Sequence, residues 1–258
     1  MIAERAIVCG PCDPAQGLAW DEAVVRAPVD RPTLLVWRTA PAVVIGRFQR
    51  ADWEVDAGAC AARGVRVWRR FTGGGAVYLD PGTVCAALAL PAAHPAASAS
   101  IPDMYVPLLD GMVRACRALG ADAARDERTV RIGERKVTGI AAHRGRDVTL
   151  VHGTLLVDAD LDALRACLAG PRDGPLQGRP RPAPSRPDHV TLVGGDVEAA
   201  ERAVVEALSA PGAERTPLTA AESGTAIRLL RERYLDPLWH AGPWEDVTPD
   251  AARAVLGA

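Results

Sequence analysis

Short apolar runs joined by brief turns are the feature that most constrains how this chain can fold. They recur between residues 6 and 157, and most are rich in Val, Leu, Ile and Ala. Strands joined by so few residues usually pair antiparallel, because a parallel crossover needs a dozen or more residues. The predicted strands are residues 6–8, 33–38, 42–46, 66–70, 76–79, 83–90, 130–132, 137–142 and 148–157.

Segments with helical spacing complete an α+β pattern. Apolar positions that repeat every three to four residues predict helices over residues 17–27, 53–63, 105–119, 161–168, 197–210 and 220–235. In the first of these, Asp21 and Glu22 are expected to face solvent. Together the elements fit a single domain over residues 1–258, with a mostly antiparallel or mixed sheet flanked by helices.

Charge and hydropathy exclude several classes of protein. The net charge of -2 and the pI near 6.2 give no broad basic field, so nucleic acid is not an expected partner. No leader-like segment and no apolar run long enough to cross a bilayer are present, so no membrane partner is expected either. We therefore expect a cytoplasmic protein.

The six cysteines include one pair at the spacing of a dithiol redox site, Cys9-Gly10-Pro11-Cys12. A strand is predicted before this pair and a helix after it, but no recognisable thioredoxin-like order follows. A plain strand-to-helix turn is the favoured interpretation. The other cysteines are scattered among apolar residues and are expected to pack, and no Cys/His spacing fits a zinc site.

A glycine triplet at residues 73–75 follows the strand that ends with Arg69 and Arg70. Consecutive glycines allow backbone N–H groups to turn outward and approach an anion closely, and forked guanidinium groups bind carboxylate or phosphate oxygens. The pattern matches neither the dinucleotide fingerprint nor the P-loop. The triplet is either an anion-binding turn, which we favour, or a loose hairpin tip.

Lys136 is the only lysine, since every other member of the Lys+Arg total of 30 is arginine. An ammonium group is a compact point charge that fits against a phosphate or acyl oxygen where a planar guanidinium does not. Lys136 is therefore the first candidate for chemistry, and the alternative is a solvated surface lysine.

Three blocks in order carry a family resemblance: Gly46 to Gln49, then Arg69 to Tyr78, then Arg135 to Ala141 followed by His152 to Leu156. This combination resembles the lipoate-protein ligase family, over about residues 18–239. The resemblance implies the biotinyl/lipoyl ligase catalytic fold. It also implies that lipoate or octanoate is activated with ATP and Mg²⁺ to an acyl-adenylate, and that the acyl group is transferred to a lysine of a lipoyl carrier domain.

The resemblance also implies roles for individual residues. Catalysis falls to Lys136, between the acyl carbonyl and the α-phosphate oxygens. Residues implied to bind ATP or the adenylate are Arg70, Gly75, Ala76, Val77, Tyr78 and Lys136. Residues implied to bind the lipoyl group are Arg69, Thr72, Gly73, Gly74, Gly139, Ala141, His152, Gly153 and Thr154. The proline-rich residues 170–188 fall where the family has its adenylate-covering loop.

Several positions depart from the family pattern. Residues 79–83 lack the histidine and asparagine usual there, and residues 126–128 replace an Asn-Asp pair associated with magnesium, so the metal ligands are unknown. His189 stands where an arginine is expected. Residues 241–258 form a tail where many members continue into an accessory domain, so either a separate accessory chain supplies that domain or the enzyme works without it.

Two alternatives to the ligase stay open. An octanoyl- or lipoyl-transferase of the same fold needs a cysteine nucleophile before the lysine strand, and residues 121–135 contain none. Cys85 and Cys116 are expected to pack rather than react. A non-catalytic protein that binds lipoate or its adenylate is the third possibility, although storage alone gives no reason to keep Lys136.

Overall fold

The computed structural model describes residues 1–168 and 189–242. Its largest sheet has six strands. From one edge to the other they are β10 (Thr138–Arg144), β11 (Val148–Leu156), β6 (Thr83–Pro91), β2 (Thr33–Thr39), β1 (Ala3–Cys12) and β12 (Ser209–Arg215).

This sheet is mixed. β1 runs parallel to β2 and to β12, because helix α1 (Pro14–Arg26) carries the chain back between β1 and β2. The pairs β2–β6, β6–β11 and β11–β10 are antiparallel. The prediction of a mostly antiparallel or mixed sheet with flanking helices is therefore confirmed.

Two small sheets lie beside the large one. In the first, β3 (Ala42–Ile45) pairs parallel with β4 (Arg66–Arg69) and antiparallel with β5 (Val77–Leu79). The second is an antiparallel meander of β7 (Ala123–Arg125), β8 (Val130–Ile132) and β9 (Arg135–Lys136). The glycine triplet thus connects β4 to β5, and Lys136 ends β9.

Helices cover both faces of the main sheet. Helices α5 (Ile101–Ala118) and α7 (Val197–Leu208) pack into one apolar core with β6 and β11. Helix α1 packs with α8 (Ala220–Leu229) into a second core on the opposite face. The short helices are α2 (Ala51–Glu54), α3 (Ala57–Ala62), α4 (Pro95–Ser98), α6 (Leu161–Cys167) and α9 (Pro237–Ala241).

Element boundaries differ from the predictions where apolar periodicity crosses a turn. The helix predicted over residues 53–63 is two helices, because the chain leaves helical geometry at Val55 and Asp56 caps α3. In the helix predicted over residues 220–235, the α-helical part ends at Leu229, and residues Leu230–Tyr234 form a π-helical turn. Strands β7, β9 and β12 were not predicted, since none of them has an alternating apolar pattern.

The expectation that Asp21 and Glu22 face solvent is wrong, because both carboxylates are buried in hydrogen-bonded networks. Glu22 accepts a hydrogen bond from the Tyr234 hydroxyl at 2.8 Å and one from Arg26 at 2.6 Å, and it is also paired with Arg233. Periodicity cannot distinguish an outward acidic residue from one whose partners come from distant parts of the chain.

The Cys9–Cys12 segment forms the end of β1, directly before α1, so the strand-to-helix interpretation holds. All six cysteines are free. Burial raises the pKa of Cys9 to about 11 and that of Cys12 to about 12. Neither thiol has the stabilised thiolate that a dithiol redox site requires.

Two predicted features lie outside the described residues: the covering loop at residues 170–188 and most of the tail at residues 241–258. In the part that is described, no helix is both long and apolar enough to span a bilayer.

Candidate active site

A cavity of about 470 Å³ opens between the glycine turn, the β10–β11 hairpin and the β7–β9 meander. The predicted site residues that line it are Arg70, Gly74, Gly75, Ala76, Val77, Lys136, Gly139, Ala141, His152, Gly153 and Thr154. Tyr78 lines a smaller cavity beside Lys136, while Arg69, Thr72 and Gly73 line neither. The fold therefore gathers most of the predicted site residues around one cleft.

The glycine turn is held in shape by Arg70. One terminal nitrogen of its guanidinium, Nη2, donates to the carbonyl oxygens of Gly73 at 2.5 Å and Gly75 at 2.9 Å, and Nη1 donates to the Val44 carbonyl at 3.2 Å. Gly74 has a φ of +89°, a conformation that favours glycine. In the described part of the chain, the amides of Gly74 and Gly75 donate to no protein acceptor. Both glycines line the cavity, so two N–H groups without a protein acceptor belong to its wall.

Arg70 cannot act as the forked ligand that its sequence context suggests. Its Nε donates to the Thr72 hydroxyl at 3.0 Å, so four of its contacts go to the protein itself. Burial lowers the pKa of Arg70 to about 10, and the Asp21 charge acts in the opposite direction. Arg70 contributes positive charge beneath the turn, with at most a single N–H left for a ligand.

Arg69 lines neither cavity and instead joins helix α9 to the loop at residues 46–49. Its guanidinium donates to the carbonyl oxygens of Gly46, Arg47, Gln49, Trp239, His240 and Ala241. Its backbone N–H donates to His240 Nδ1 at 2.9 Å. The lipoyl contact implied for Arg69 is therefore not supported, because its donors are engaged by backbone carbonyls.

A buried hydrogen-bonded network lies under the cavity. Asp21 Oδ2 is 2.7 Å from His152 Nδ1, and His152 Nε2 is 2.8 Å from the Thr72 hydroxyl. Asp21 Oδ1 accepts a hydrogen bond from the Trp37 indole at 2.8 Å. Sequence reasoning missed Asp21 because it looked for chemistry in the glycine and lysine blocks. The available signal was an acidic residue on a helix whose neighbours Leu18 and Ala19 are apolar.

Lys136 lies where the two cavities meet, since it lines both of them. Val190 pairs with Lys136 as a parallel bridge, and Leu168 pairs with Val55. The smaller cavity is walled by Leu164, Leu168 and Val190. Leu168 and Val190 thus line the same cavity as Lys136.

The meander adds positive charge at this end of the cleft. Arg128 and Arg131 line the cavity together with Asp126. Arg131 Nε donates to Asp126 Oδ2 at 2.5 Å, and Asp126 Oδ1 accepts the backbone N–H groups of Arg128 and Thr129. Burial alone would raise the pKa of Asp126, but the hydrogen bonds from Arg128 and Arg131 outweigh it, so the pKa is lowered.

Among the described residues, Asp126 offers the one carboxylate at the meander end of the cavity that could hold a Mg²⁺ ion. Its Oδ1 accepts two backbone hydrogen bonds and its Oδ2 accepts one from Arg131, so Oδ2 keeps one lone pair for a metal. Across residues 1–168 and 189–242, no group of three or more His, Cys, Asp or Glu side chains is placed to hold a metal. Mg²⁺ sites usually include one or two carboxylates.

The other end of the cavity is mostly apolar, apart from the hydrogen-bonded pair of Asp21 and His152. Its walls include Leu18, Trp37, Val44, Leu79, Cys85 and Ala86. Gly139 and Gly153 bring β10 and β11 together there: a Cβ on Gly153 would lie 2.7 Å from the Gly139 carbonyl oxygen. Burial raises the pKa of Cys85 well above its ordinary value. The cleft therefore joins an apolar pocket to a cationic mouth, as a ligand with an apolar tail and an anionic head requires.

Sequence comparison identifies the family. The family profile described as Lipoyl protein ligase A/B catalytic domain matches residues 13–209.

The chain belongs to the lipoyl protein ligase A/B family.

Two curated members of this family are similar over nearly their whole lengths. Lipoate-protein ligase A subunit 1 of Thermoplasma acidophilum is 30% identical, covering 90% of this chain and 94% of the relative. The octanoyltransferase LipM of Kyrpidia tusciae is 33% identical, covering 92% of this chain and 97% of the relative. Membership of the lipoyl ligase A/B family therefore includes both reaction types.

Solved structures of lipoyl ligases share the fold. A crystal structure of lipoate-protein ligase A bound with ATP superposes with a TM-score of 0.78 at 27% identity, covering 94% of this chain and 99% of that one. A bipartite lipoate-protein ligase, studied with its E2 lipoyl domain from Thermoplasma acidophilum, gives a TM-score of 0.77 at 28% identity, with 96% and 100% coverage. The lipoyl ligase catalytic fold is thus observed as well as predicted.

Proposed function

We propose that this protein is an ATP-dependent lipoate-protein ligase that activates lipoate or octanoate and transfers it to a lysine of a lipoyl carrier domain. The observation that carries this proposal is the continuity of the cleft. An apolar pocket for an acyl chain leads to the free amides of Gly74 and Gly75 and to Lys136, the sole lysine.

The proposed reaction has two steps. The acyl carboxylate attacks the α-phosphorus of ATP, which forms the acyl-adenylate and releases pyrophosphate. The uncharged amine of the carrier lysine then attacks the acyl carbon, forms an amide, releases AMP and loses a proton. Negative charge develops on phosphate oxygens in the first step and on the acyl oxygen in the second. Fixed cationic and N–H donors are what such transition states need.

Within this scheme, Lys136 is the catalytic residue, placed between the acyl carbonyl and the α-phosphate. The amides of Gly74 and Gly75 bind phosphate or acyl oxygens. Ala76 and Val77 lie beside them on the way to the smaller cavity. Arg128 and Arg131 face the polyphosphate from the meander. No step depends on a protein-held metal; Mg²⁺ enters as the counter-ion that accompanies ATP.

Use of ATP and of a protein acceptor is supported by the relatives. One similar ligase structure is described as bound with ATP, and another is described as bipartite and with an E2 lipoyl domain. We propose the same classes of partner here: a lipoyl carrier domain as acceptor, and a second chain of the kind implied by a relative named subunit 1. Both proposals depend on the test described below.

The octanoyltransferase is the second candidate, because one relative carries that name at 33% identity. It requires a thiolate that takes the acyl group as a thioester and passes it to the carrier lysine. Cys85 is the only cysteine lining the cavity in the described residues, and its raised pKa disfavours the thiolate. ATP-independent transfer from an octanoyl thioester, lost in Cys85→Ala, would favour the transferase over the ligase.

The decisive test is intact-mass analysis of a lipoyl carrier domain incubated with this protein, lipoate and Mg-ATP. A parallel reaction supplies preformed lipoyl-adenylate. Mass addition in both reactions supports a complete ligase, whereas addition only from the adenylate indicates that activation needs a further chain. No addition in either, together with no exchange of labelled pyrophosphate into ATP, would leave a lipoate- or adenylate-binding protein as the better account.

A further inference from the structure

One continuous set of hydrogen bonds connects helix α1 to the glycine turn. It runs from the Trp37 indole to Asp21, from Asp21 to His152, from His152 to Thr72 and from Thr72 to Arg70, with donor–acceptor distances between 2.7 and 3.0 Å. Arg70 then donates to the carbonyls on both sides of Gly74. The network thus joins elements that are distant in sequence to the turn that faces the cavity.

For a neutral His152 imidazole, the chemistry of the other groups gives the direction of each hydrogen bond. A carboxylate only accepts, so the proton between Asp21 and His152 belongs to His152 Nδ1. The other ring nitrogen of a neutral imidazole then accepts from the Thr72 hydroxyl. Because Arg70 only donates, its Nε proton is accepted by one lone pair of that same hydroxyl. Both ring nitrogens of His152 are consequently used by the protein and neither is left for a ligand.

The network also brings the negative charge of Asp21 close to the buried Arg70 guanidinium. Arg70 is only 5% exposed, and no ion pair within residues 1–168 and 189–242 joins its guanidinium to a carboxylate. The nearest compensation comes from Asp21, two hydrogen-bonded groups away, whose charge favours the protonated guanidinium. Removing that charge leaves a buried cation without its counter-charge, which is costly.

We propose that Asp21 and His152 are positioning residues for the acyl-adenylate, acting through Thr72 on Arg70 to hold the glycine turn with the Gly74 and Gly75 amides open to the cleft. This inference rests on the proposed function. It assigns His152 and Thr72 to the support of the turn rather than to polar contact with the lipoyl group.

The test uses two variants and two matched controls. Asp21→Asn removes the charge and reverses the hydrogen bond to His152, and Thr72→Val removes the hydroxyl at nearly constant shape. Glu22→Gln removes an equally buried carboxylate from the next position of α1, whose partners Tyr234 and Arg233 lie away from the cavity. Thr72→Ser keeps the hydroxyl. Binding of a non-hydrolysable sulfamoyl analogue of lipoyl-adenylate is measured for the wild type, these four variants and the double variant Asp21→Asn/Thr72→Val.

We expect Asp21→Asn and Thr72→Val each to weaken analogue binding by about tenfold, because each variant loses one hydrogen bond of the network. The double variant should bind the analogue no more weakly than the single variant with the lower affinity, because both changes interrupt the same network. Glu22→Gln and Thr72→Ser should bind within about twofold of wild type, although Glu22→Gln should be less thermostable.

A spectroscopic measurement tests the network without any ligand. Nitrogen-15 NMR of labelled histidine, assigned with a His152→Gln sample, should show the wild-type His152 proton on Nδ1 and its transfer to Nε2 in Asp21→Asn. A wild-type proton on Nε2 would overturn the inference, as would analogue binding that Asp21→Asn and Thr72→Val leave unchanged. Absence of analogue binding by wild type would instead overturn the proposed function, and the positioning role would fall with it.

Discussion

Lys136 and Val190 form a parallel backbone bridge, and the amide of Thr191 donates to the Lys136 carbonyl at 3.0 Å. On its other side, Lys136 pairs with Arg131 in the meander. The Lys136 backbone is therefore fixed by two neighbouring segments while its side chain lines the cleft. A change of side chain at this position should leave the backbone arrangement in place.

Lys136→Arg should retain the fold and lose most activity, by about a hundredfold or more in carrier lipoylation. A planar guanidinium cannot take the position of an ammonium between a carbonyl and a phosphate, so charge in the transition state loses its partner. Rates are measured by intact mass of the carrier. The control is Arg135→Lys, an exposed neighbour on β9 that lines neither cavity. Near-normal turnover of Lys136→Arg would remove the catalytic role from Lys136.

Gly46→Ala should disrupt the glycine turn. A Cβ at Gly46 would lie 2.2 Å from the Gly74 carbonyl oxygen, a backbone atom that cannot move away cheaply. We expect a loss of about 2 kcal/mol in unfolding free energy and weaker binding of the adenylate analogue, because the turn must shift. Gly224→Ala is the control, since its Cβ meets no atom within 4 Å and alanine favours the helix. Unchanged analogue binding by Gly46→Ala would contradict this account.

Stability should fall as pH is lowered below about 6.5, through His240. Burial lowers the pKa of His240 from 6.5 to about 4, mainly because its ring is enclosed next to Arg69. Between these two pH values the unfolded chain binds a proton at His240 and the folded protein does not. The free energy of unfolding therefore falls by up to about 3 kcal/mol as the pH is lowered, and this stability is fully present above the unfolded pKa. Burial also lowers the pKa of His143, which adds a change of the same sign.

Urea unfolding at intervals from pH 7.5 to pH 4.5 measures this dependence. His240→Gln should be less stable at pH 7, because it loses contacts to Arg69 and Tyr234, and its stability should depend less steeply on pH. A variant whose slope equals that of wild type would show that His240 does not titrate in this window.

Glu222→Gln should destabilise the protein by about 3 kcal/mol, because it leaves the buried Arg5 guanidinium without its charge partner. Arg5 Nη1 and Nη2 donate to the two Glu222 oxygens at 2.7 and 2.8 Å, which ties β1 to the first turn of α8. Glu214→Gln breaks a pair between Glu214 and Arg31 at the surface and is the control. Urea midpoints are compared, and equal midpoints for the two variants would refute the assignment.

Much of the fold was predictable because local patterns and tertiary structure agree there. The apolar runs that became β2, β3, β6 and β11 are buried throughout or nearly so, and the predicted helix over residues 161–168 forms as α6. The polar strands β7 and β12 were missed because their pairing, and not their composition, makes them strands.

For the candidate site, the sequence by itself determined where the unusual chemistry lies: a glycine triplet after paired arginines, and one lysine in an arginine-rich chain. Tertiary structure alone decided what each group does. It directed the Arg69 guanidinium toward helix α9 and the Arg70 guanidinium toward the glycine turn. It also brought Asp21 to His152 across 131 positions. The physical reason is that a buried polar group must find its partners in space, and spacing along the chain does not record them.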